Sequence, residues 1–270
     1  TDLGQHFLHS DDMIGLMVSI AKVDAHDHVL EIGPGPGTLT HRLLETGAKV
    51  TAIEIDDAPI FHLNETFRTE LQANQLTLHQ GDALSIAWPE EITKVVANIP
   101  YQISSPLIER LTRHLKQQNT PMLQVVIMVQ LEFAQRLSMR HPSDVGSLGL
   151  TVALDWNVHE HHTVSPHHFI PQPDVQSMVV ELQPHERTFS VDKRLLRQII
   201  HHAFDQRRKK LRTILKNPPR RISRIKGWHK QRWKNAVQAL ENLEVMDARP
   251  EELQMEDWIA LAEKVEKGSM

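Results

Sequence analysis

A glycine-rich turn between a strand and a helix is the feature that most restricts how this chain can fold. Residues 28 to 34 form a short apolar strand pattern that runs into Gly33, Gly35 and Gly37, and a helical pattern begins after Thr38. Further strand patterns lie at 49 to 55, 76 to 82, 94 to 99, 123 to 130, 150 to 158 and 175 to 183, and helical patterns lie near 11 to 23, 58 to 71 and 104 to 117. Strands that alternate with helices favour a parallel sheet covered on both faces. The sequence therefore predicts an α/β fold with a doubly wound sheet.

The chain changes character after Pro184. Apolar residues from 195 to 215 recur every three or four positions, and Lys and Arg dominate the positions between them. Residues 185 to 235 hold 17 Lys and Arg against three Asp and Glu, although the whole chain has a formal net charge of -4. Such segregation indicates a polyanionic partner, and the alternative is a solvated helical face. We predict an α/β domain over residues 1 to 184 and a small, basic, all-α domain over residues 185 to 267.

Composition excludes several kinds of site. The chain has no cysteine, which excludes disulfides, thiolate zinc sites, iron–sulfur clusters and cysteine nucleophiles. Its 18 histidines are scattered without a convincing ligand pattern, so we interpret them as surface residues and expect no metal. No apolar run approaches the roughly 20 residues that cross a bilayer, and no signal-peptide pattern opens the sequence. We therefore expect a cytoplasmic monomer without membrane contact.

Glycine or polar residues stand at the carboxyl ends of four successive predicted strands. Gly33 follows the first strand, and Glu54 ends the second. Asp82 ends the third strand, and Asn98 ends the fourth. Open α/β sheets bind ligands at this edge, where an acidic residue accepts ribose hydroxyls and a glycine turn lets the backbone approach the ligand. Each residue alone has a structural alternative, namely a tight turn, a surface glutamate or a turn aspartate. Together they predict a nucleoside-binding site.

Longer motifs around these positions carry a resemblance to a known family. The motifs are Glu31-Ile32-Gly33-Pro34-Gly35, Glu54, Gly81-Asp82, Asn98-Ile99-Pro100-Tyr101, "GQHFL" at 4 to 8, "FIPQPDVQS" at 169 to 177 and "FDQRRKKLRTIL" at 204 to 215. They resemble the S-adenosylmethionine-dependent adenine-N6 dimethyltransferases of small-subunit ribosomal RNA, the kasugamycin-resistance methyltransferase family. The likeness spans essentially the whole chain. It implies a Rossmann-like methyltransferase sheet with a small all-α C-terminal domain.

The resemblance also implies a cofactor site and an RNA-binding segment. S-adenosyl-L-methionine, which leaves as S-adenosyl-L-homocysteine, would be held without a metal by His6, Leu8, Gly33, Gly35, Glu54, Asp82 and Asn98. The family usually has asparagine where this chain has His6. RNA would be held by the counterpart of the family's basic helix, through Arg207, Arg208, Lys209, Lys210 and Arg212. The implied substrate is two neighbouring adenosines near the 3′ end of small-subunit ribosomal RNA, each dimethylated, in the RNA or a precursor particle.

The stretch "ANIPY" at 97 to 101 is the predicted methyl-transfer site. An adenine amine is a poor nucleophile, so the enzyme must localise its lone pair by geometry. We expect the Asn98 amide oxygen and a main-chain carbonyl before Pro100 to accept the two N–H hydrogens, because proline holds the preceding residue extended. Tyr101 would stack on the base, and Phe169 would cover its other face. The target adenosine must be single-stranded or flipped out.

Other functions stay open on the sequence alone. The same pocket would serve a large-subunit ribosomal RNA adenine dimethylase or a DNA adenine methylase. A non-catalytic ribosome-assembly factor could keep the fold and the RNA surface. The helical basic domain favours the small-subunit substrate, and the intact Glu54, Asp82 and Asn98 favour activity.

Overall fold

A computed structural model describes residues 6 to 117, 122 to 185 and 187 to 268, so the first two residues of the "GQHFL" motif lie outside the described residues. The strands are β1 (Phe7–Leu8), β2 (His28–Ile32), β3 (Lys49–Glu54), β4 (Leu76–Gln80), β5 (Lys94–Asn98), β6 (Gln124–Gln130), β7 (Trp156–Val164), β8 (Phe169–Ile170) and β9 (Ser177–Pro184). The helices are α1 (Asp11–Ala21), α2 (Thr38–Glu45), α3 (Asp57–Thr66), α4 (Arg68–Gln72), α5 (Ser104–Leu115), α6 (Leu131–Ser138), α7 (Ser147–Val152), α8 (Lys193–Phe204), α9 (Leu211–Ile214), α10 (Lys230–Gln238) and α11 (Met255–Lys267). In the described ranges, no helix combines the length and the apolar character that spanning a membrane requires.

Seven strands form one sheet in the order β4-β3-β2-β5-β6-β9-β7. The first five run parallel, β9 is antiparallel to β6, and β7 is antiparallel to β9. This confirms the predicted α/β fold. Because parallel strands end at the same edge, the sheet brings the predicted ligand residues together there. A separate ribbon pairs β1 with β8, with Leu8 opposite Phe169, and the sequence did not predict it because two-residue strands carry no periodic pattern.

The chain divides into two compact units. The α/β unit comprises Thr1–Ala134 and Trp156–His185, and the helical unit comprises Gln135–Asp155 and Glu186–Met270. The final change from the α/β unit to the helical unit, after His185, lies within two residues of the boundary predicted after Pro184. The segment Gln135–Asp155 also belongs to the helical unit, where the sequence did not place it.

The predicted strand at 150 to 158 is wrong in its first half. Residues up to Val152 form α7, and the strand β7 begins only at Trp156. Leu150 and Leu154 are buried in the apolar cluster of the helical unit, which Leu195 and Ile199 of α8 also join. A spacing of four places two side chains on one face of a helical segment, so this apolar run serves a helix and a turn rather than a strand.

The basic segment is not one continuous helix. α8 ends at Phe204, residues 205 to 210 form a turn, and the short helix α9 begins at Leu211. Four of the five predicted RNA-binding residues therefore lie in a turn. Successive Lys and Arg side chains repel one another at helical spacing, which disfavours a helix through this run.

Candidate active site

The glycine-rich turn after β2 carries main chain along the ligand-binding edge. Gly35 and Gly37 have φ angles of 53° and 87°, which is a left-handed conformation that is unfavourable for residues with a Cβ atom. A Cβ atom on Gly35 would lie 2.6 Å from the Phe7 ring, and one on Gly37 would lie 2.7 Å from the Phe67 ring. Both positions therefore require glycine. The turn leads into α2, whose first N–H groups have no acceptor within the helix.

Glu54, at the end of β3, is oriented by three main-chain donors. The N–H of Gly35 donates to Oε2 at 3.1 Å. The N–H groups of Ile55 and Asp56 donate to Oε1 at 2.8 and 3.2 Å. A carboxylate has about four lone-pair positions, so roughly one is left for a ligand hydroxyl. A second hydroxyl would have to displace one of these main-chain donors.

Asp82, after β4, holds the turn that follows it. The N–H of Leu84 donates to Oδ1 at 2.8 Å, and the Ser85 hydroxyl donates to Oδ2 at 2.7 Å. These two bonds hold the pKa of Asp82 below its ordinary value. Arg110 of α5 donates to two carbonyls of the same turn. Asp82 is thus a turn aspartate, as in the structural alternative, and it also lines a cavity with Glu54.

Two adjoining cavities connect the cofactor motifs with the methyl-transfer motif. The first lies between the ends of β2, β3, β4 and β5 and opens to solvent. Its lining is apolar apart from a few polar groups and consists of Ile32, Gly33, Ile53, Glu54, Ile55, Gly81, Asp82, Ala83, Pro100, Gln102 and Ile103. The second shares Gly33 and Pro100 with it and is also lined by His6, Phe7, Asn98, Ile99 and Tyr101. The glycine main chain, the buried acid Glu54 and the apolar lining fit a nucleoside cofactor such as S-adenosylmethionine.

The Asn98 amide, at the end of β5, is oriented by the main chain of residue 6. Its Nδ2 donates to the His6 carbonyl at 3.0 Å, so the amide oxygen is left for another donor. His6 is itself held, because its Nδ1 lies 2.8 Å from the Pro171 carbonyl and must donate to it. The structure therefore brings His6 and Asn98 together across more than 90 residues of sequence.

Tyr101 follows the methyl-transfer motif and is half-buried. Its hydroxyl is hydrogen-bonded to the buried Ser177 hydroxyl at 2.7 Å, which fixes the direction of the ring. Burial raises the pKa of Tyr101 above its ordinary value, and the Ser177 bond opposes this shift in part. The ring therefore stays neutral and offers an apolar face. Its centroid lies 5.6 Å from the His6 ring.

Phe169 is not brought to the surface of the site. Its side chain is 1% exposed and packs in the core of the α/β unit, together with Val164 and Val179. In this structure the ring is not accessible to a base, so stacking on both faces would require Phe169 to move. Its visible contribution is to β8, which holds Leu8 of β1 in place.

Glu31 is a buried acid that the sequence placed in a motif without giving it a role. The Thr40 hydroxyl donates to its Oε2 at 2.7 Å. Burial, with a smaller contribution from Glu54, raises its pKa to about 8. It lines a further cavity beside the glycine turn, together with Leu8, Gly33 and Asn98. A pKa of about 8 means that Glu31 keeps its proton at neutral pH, at the edge of the predicted cofactor site.

Apolar side chains in the site were not predicted. Phe7 lies in the "GQHFL" motif between two predicted ligands, and its ring lies against Gly35. Ile55 is 48% exposed and directly follows Glu54, and Ile103 lines the larger cavity. The sequence shows that Ile55 is a large apolar residue next to a predicted ligand, but it does not show that this side chain is exposed.

The predicted RNA-binding residues lie together in the helical unit and are partly neutralised there. Arg207 pairs with Glu251 at 2.8 Å, Lys210 pairs with Asp247 at 3.0 Å, and Arg212 pairs with Asp247 as well. Arg208 and Lys209 are exposed and form no ion pair within the described ranges. The basic run is therefore less charged than its sequence indicates. Among the residues that the structure describes, no group of three His, Asp or Glu side chains has the geometry of a metal site.

Comparison with known proteins identifies the family. The family model described as "Ribosomal RNA adenine dimethylase" matches residues 1–245. A probable ribosomal RNA small subunit methyltransferase A of Methanospirillum hungatei is 34% identical over 97% of this chain and 97% of its own length. The ribosomal RNA small subunit methyltransferase A of Pseudomonas syringae pv. tomato is 37% identical over 79% of this chain and 80% of its own length.

Solved structures agree with this result. A dimethyladenosine transferase from Plasmodium falciparum superposes with a TM-score of 0.81 at 28% identity and covers 98% of this chain and 99% of its own. The 23S rRNA methyltransferase ErmE superposes over 96% of this chain and 99% of its own with a TM-score of 0.65 at 22% identity, which shows a shared fold. The chain described here belongs to the ribosomal RNA adenine dimethylase family.

Proposed function

We propose that this chain transfers methyl groups from S-adenosylmethionine to the N6 amines of two neighbouring adenosines near the 3′ end of small-subunit ribosomal RNA. Each adenosine would be dimethylated, in free RNA or in a precursor of the small subunit, by a cytoplasmic monomer. Family membership and two relatives named for small-subunit ribosomal RNA support the substrate class. The Plasmodium falciparum relative, named as a dimethyladenosine transferase, supports the product.

The observation that carries the proposal is the orientation of Asn98. Because Nδ2 donates to the His6 carbonyl, the amide oxygen is the atom available to accept a hydrogen from the target amine. Pro100 holds residue 99 extended, so a main-chain carbonyl beside Asn98 accepts the second hydrogen. With both hydrogens held, the nitrogen lone pair points away from the adenine plane. Most of the rate comes from this positioning rather than from a strong base.

The cofactor residues act by binding and orientation. S-adenosylmethionine supplies a methyl group on a positively charged sulfur. Glu54 accepts a ribose hydroxyl, Asp82 receives the adenine amine, and the main chain of Gly33 and Gly35 lies along the ligand. Leu8 and the His6 segment border the methionine end. Transfer would form the bond between the amine nitrogen and the methyl carbon as the bond between sulfur and that carbon breaks, so the sulfur becomes neutral and S-adenosylhomocysteine leaves. The methylated amine would be positively charged and would lose one proton to water or to a neighbouring acceptor.

Tyr101 would support the target base. Stacking on an aromatic ring contributes about 1–3 kcal/mol per base. Since the Ser177 hydroxyl fixes the Tyr101 ring, little side-chain entropy is lost when the base arrives. Phe169 stays a predicted second contact that depends on a rearrangement of the core. The basic turn of the helical unit would bind RNA through phosphates.

The test compares Asn98→Ala with Asn64→Ala. Asn64 is an exposed asparagine of α3, so it controls for loss of an amide side chain. Each variant is incubated with labelled cofactor and, separately, with isolated small and large subunits, and methylated adenosines are mapped by mass. We expect labelling of small-subunit RNA alone, lost in Asn98→Ala and retained in Asn64→Ala, while both variants still bind the particle.

Other outcomes assign the alternatives. Labelling of large-subunit RNA alone would reject small-subunit ribosomal RNA as the substrate. An Asn98→Ala variant with near-normal methylation would reject the role of Asn98. Particle binding without any methylation by the unmodified chain would favour an assembly factor.

A further inference from the structure

The main-chain segments that form the rim of the candidate active site carry no Lys or Arg side chain of their own. We define the rim as the described segments that follow the sheet's ligand-binding edge, 6 to 9, 33 to 37, 55 to 57, 81 to 86, 98 to 104, 131 to 134 and 165 to 176. These segments contain no Lys or Arg. They contain the acids Asp56, Asp57, Asp82, Glu132 and Asp174. Arg110 of α5 brings one positive charge to the 81 to 86 segment, where it is bonded to main-chain carbonyls. Elsewhere on the rim, phosphates beside an adenosine in the pocket would meet segments of negative formal charge.

Histidines are the residues on this rim that can become positive. His9, His167 and His168 lie there, and His162 stands near the end of β7. We call these four residues the histidine patch. Three of them are exposed, and His168 is partly buried. They lie where the chain of β1 leaves the pocket.

Hydrogen bonds and a ring contact hold His9, His167 and His168 together, and His162 lies close enough to affect His168 electrostatically. The His9 main-chain N–H donates to the His168 carbonyl at 3.1 Å. The His9 ring donates from Nε2 to the His167 carbonyl at 3.2 Å. The rings of His167 and His168 lie 4.0 Å apart. The patch is therefore a built surface and not a chance run of residues in the sequence.

The patch lies within reach of RNA next to the pocket. His6 lines the cavity with Asn98, and β1 carries the chain directly from His6 to His9. Three residues of extended chain span about 10 Å. The sugar–phosphate backbone of nucleotides flanking a bound adenosine covers such a distance.

We propose that the histidine patch binds phosphates of the RNA strand beside the target adenosine and takes up protons as it does so. The inference rests on the proposed function, since it requires RNA at this pocket. An imidazolium donates N–H bonds to phosphate oxygens, and an imidazole ordinarily gains its charge near pH 6.5. Histidine thus supplies a charge that the rim segments otherwise lack.

The electrostatic surroundings suit a charge that forms only with RNA. Burial lowers the pKa of His168, and the neighbouring His167, His9 and His162 lower it further, against a smaller opposing effect of Asp12. In the free protein the neighbouring rings therefore oppose protonation of His168. A phosphate placed among them would favour the charged form, so RNA binding and proton uptake are coupled.

The test measures binding of isolated small subunits to the full chain over a salt series, at pH 6.0 and at pH 8.0. For a protein that binds single-stranded nucleic acid, each tenfold rise in salt concentration lowers log K by roughly 0.7 for every phosphate that the protein neutralises. If the patch neutralises two phosphates at pH 6.0, the slope is steeper there than at pH 8.0 by about 1.4. The double variant His167→Gln/His168→Gln should lose this difference, because glutamine donates hydrogen bonds but gains no charge.

The matched control is His26→Gln/His62→Gln, which removes two exposed histidines outside the rim segments. It should keep the pH-dependent slope, and thermal unfolding should show that both double variants are folded. A slope that is equal at the two pH values in the unmodified chain would overturn the proposal. A difference retained in full by His167→Gln/His168→Gln would do so as well. If the unmodified chain shows the pH-dependent slope but methylates no RNA, the role of the histidine patch in binding phosphates would be supported and only the proposed methyl transfer would be refuted.

Discussion

Replacement of Glu54 by glutamine tests how the cofactor site is organised. In the structure Oε1 accepts from Ile55 and Asp56, and Oε2 accepts from Gly35. Glutamine has one oxygen and one NH₂ group. If its oxygen keeps the two donors on the β3 side, its NH₂ group faces the N–H of Gly35. Two donors then meet in a buried position, and the glycine turn loses the bond that fixes it.

The size of the effect follows from these contacts. A hydrogen bond to a charged group contributes about 1.5–3 kcal/mol, and one such bond is lost at Gly35. The lone pair left for a ribose hydroxyl is on Oε2, and the NH₂ group that replaces Oε2 accepts no hydrogen bond. The Gly35 bond is present without cofactor, so the change in affinity comes from the ribose hydroxyl. Since each 1.4 kcal/mol is a factor of ten, loss of that bond weakens cofactor binding by roughly 10-fold to 150-fold. The fold should survive, because the core of the α/β unit is untouched.

Isothermal titration of S-adenosylhomocysteine into Glu54→Gln and into Glu65→Gln measures the difference. Glu65 is an exposed acid of α3 that pairs with Arg68, so its replacement controls for loss of charge. We expect a dissociation constant raised at least tenfold in Glu54→Gln and unchanged in Glu65→Gln. A folded Glu54→Gln variant that binds within threefold of the unmodified chain would refute the reasoning.

Three further predictions concern charge. Because burial raises the pKa of Glu31 to about 8, the folded chain keeps a proton that the unfolded chain loses near pH 4.5, so stability should fall as pH rises between these values. Urea unfolding should show Glu31→Gln free of this fall and more stable by about 3 kcal/mol at pH 7, whereas equal pH slopes would contradict the pKa. Lys94→Met removes the ammonium group that lies 2.7 Å from the buried carboxylate of Asp27, and it should lower the free energy of unfolding by about 3–5 kcal/mol. Lys94→Met/Asp27→Asn should recover much of this free energy, and no recovery would argue against the ion pair as the cause. Asp247→Asn frees Lys210 of the basic turn and Arg212 of α9 from their ion pairs and should steepen the salt dependence of RNA binding, while an unchanged slope would show that these two side chains do not contact phosphates.

The sequence determined the α/β fold and the edge at which the candidate site forms. Glu54, Asp82 and Asn98 end strands whose apolar runs and intervening helices already specify a parallel sheet, and parallel strands end together. The family resemblance added roles for His6 and Leu8, which no local pattern would have suggested. The fold and the position of this edge follow from short-range order, namely which residue follows which strand, whereas the roles of His6 and Leu8 stay predictions.

Tertiary structure alone decided the orientations and the charges. The Asn98 amide is set by the carbonyl of His6, and Phe169 is removed from the surface by core packing. Two acids that lie far along the chain, Asp247 and Glu251, form ion pairs with three of the five predicted RNA-binding side chains and offset part of their charge. Sequence periodicity records the face on which a residue lies, but it does not record which distant residue meets that face. Contacts between residues that are distant in sequence determine the hydrogen-bond partners, the raised pKa of a buried acid and the grouping of histidines. These features therefore appear only when the chain is folded.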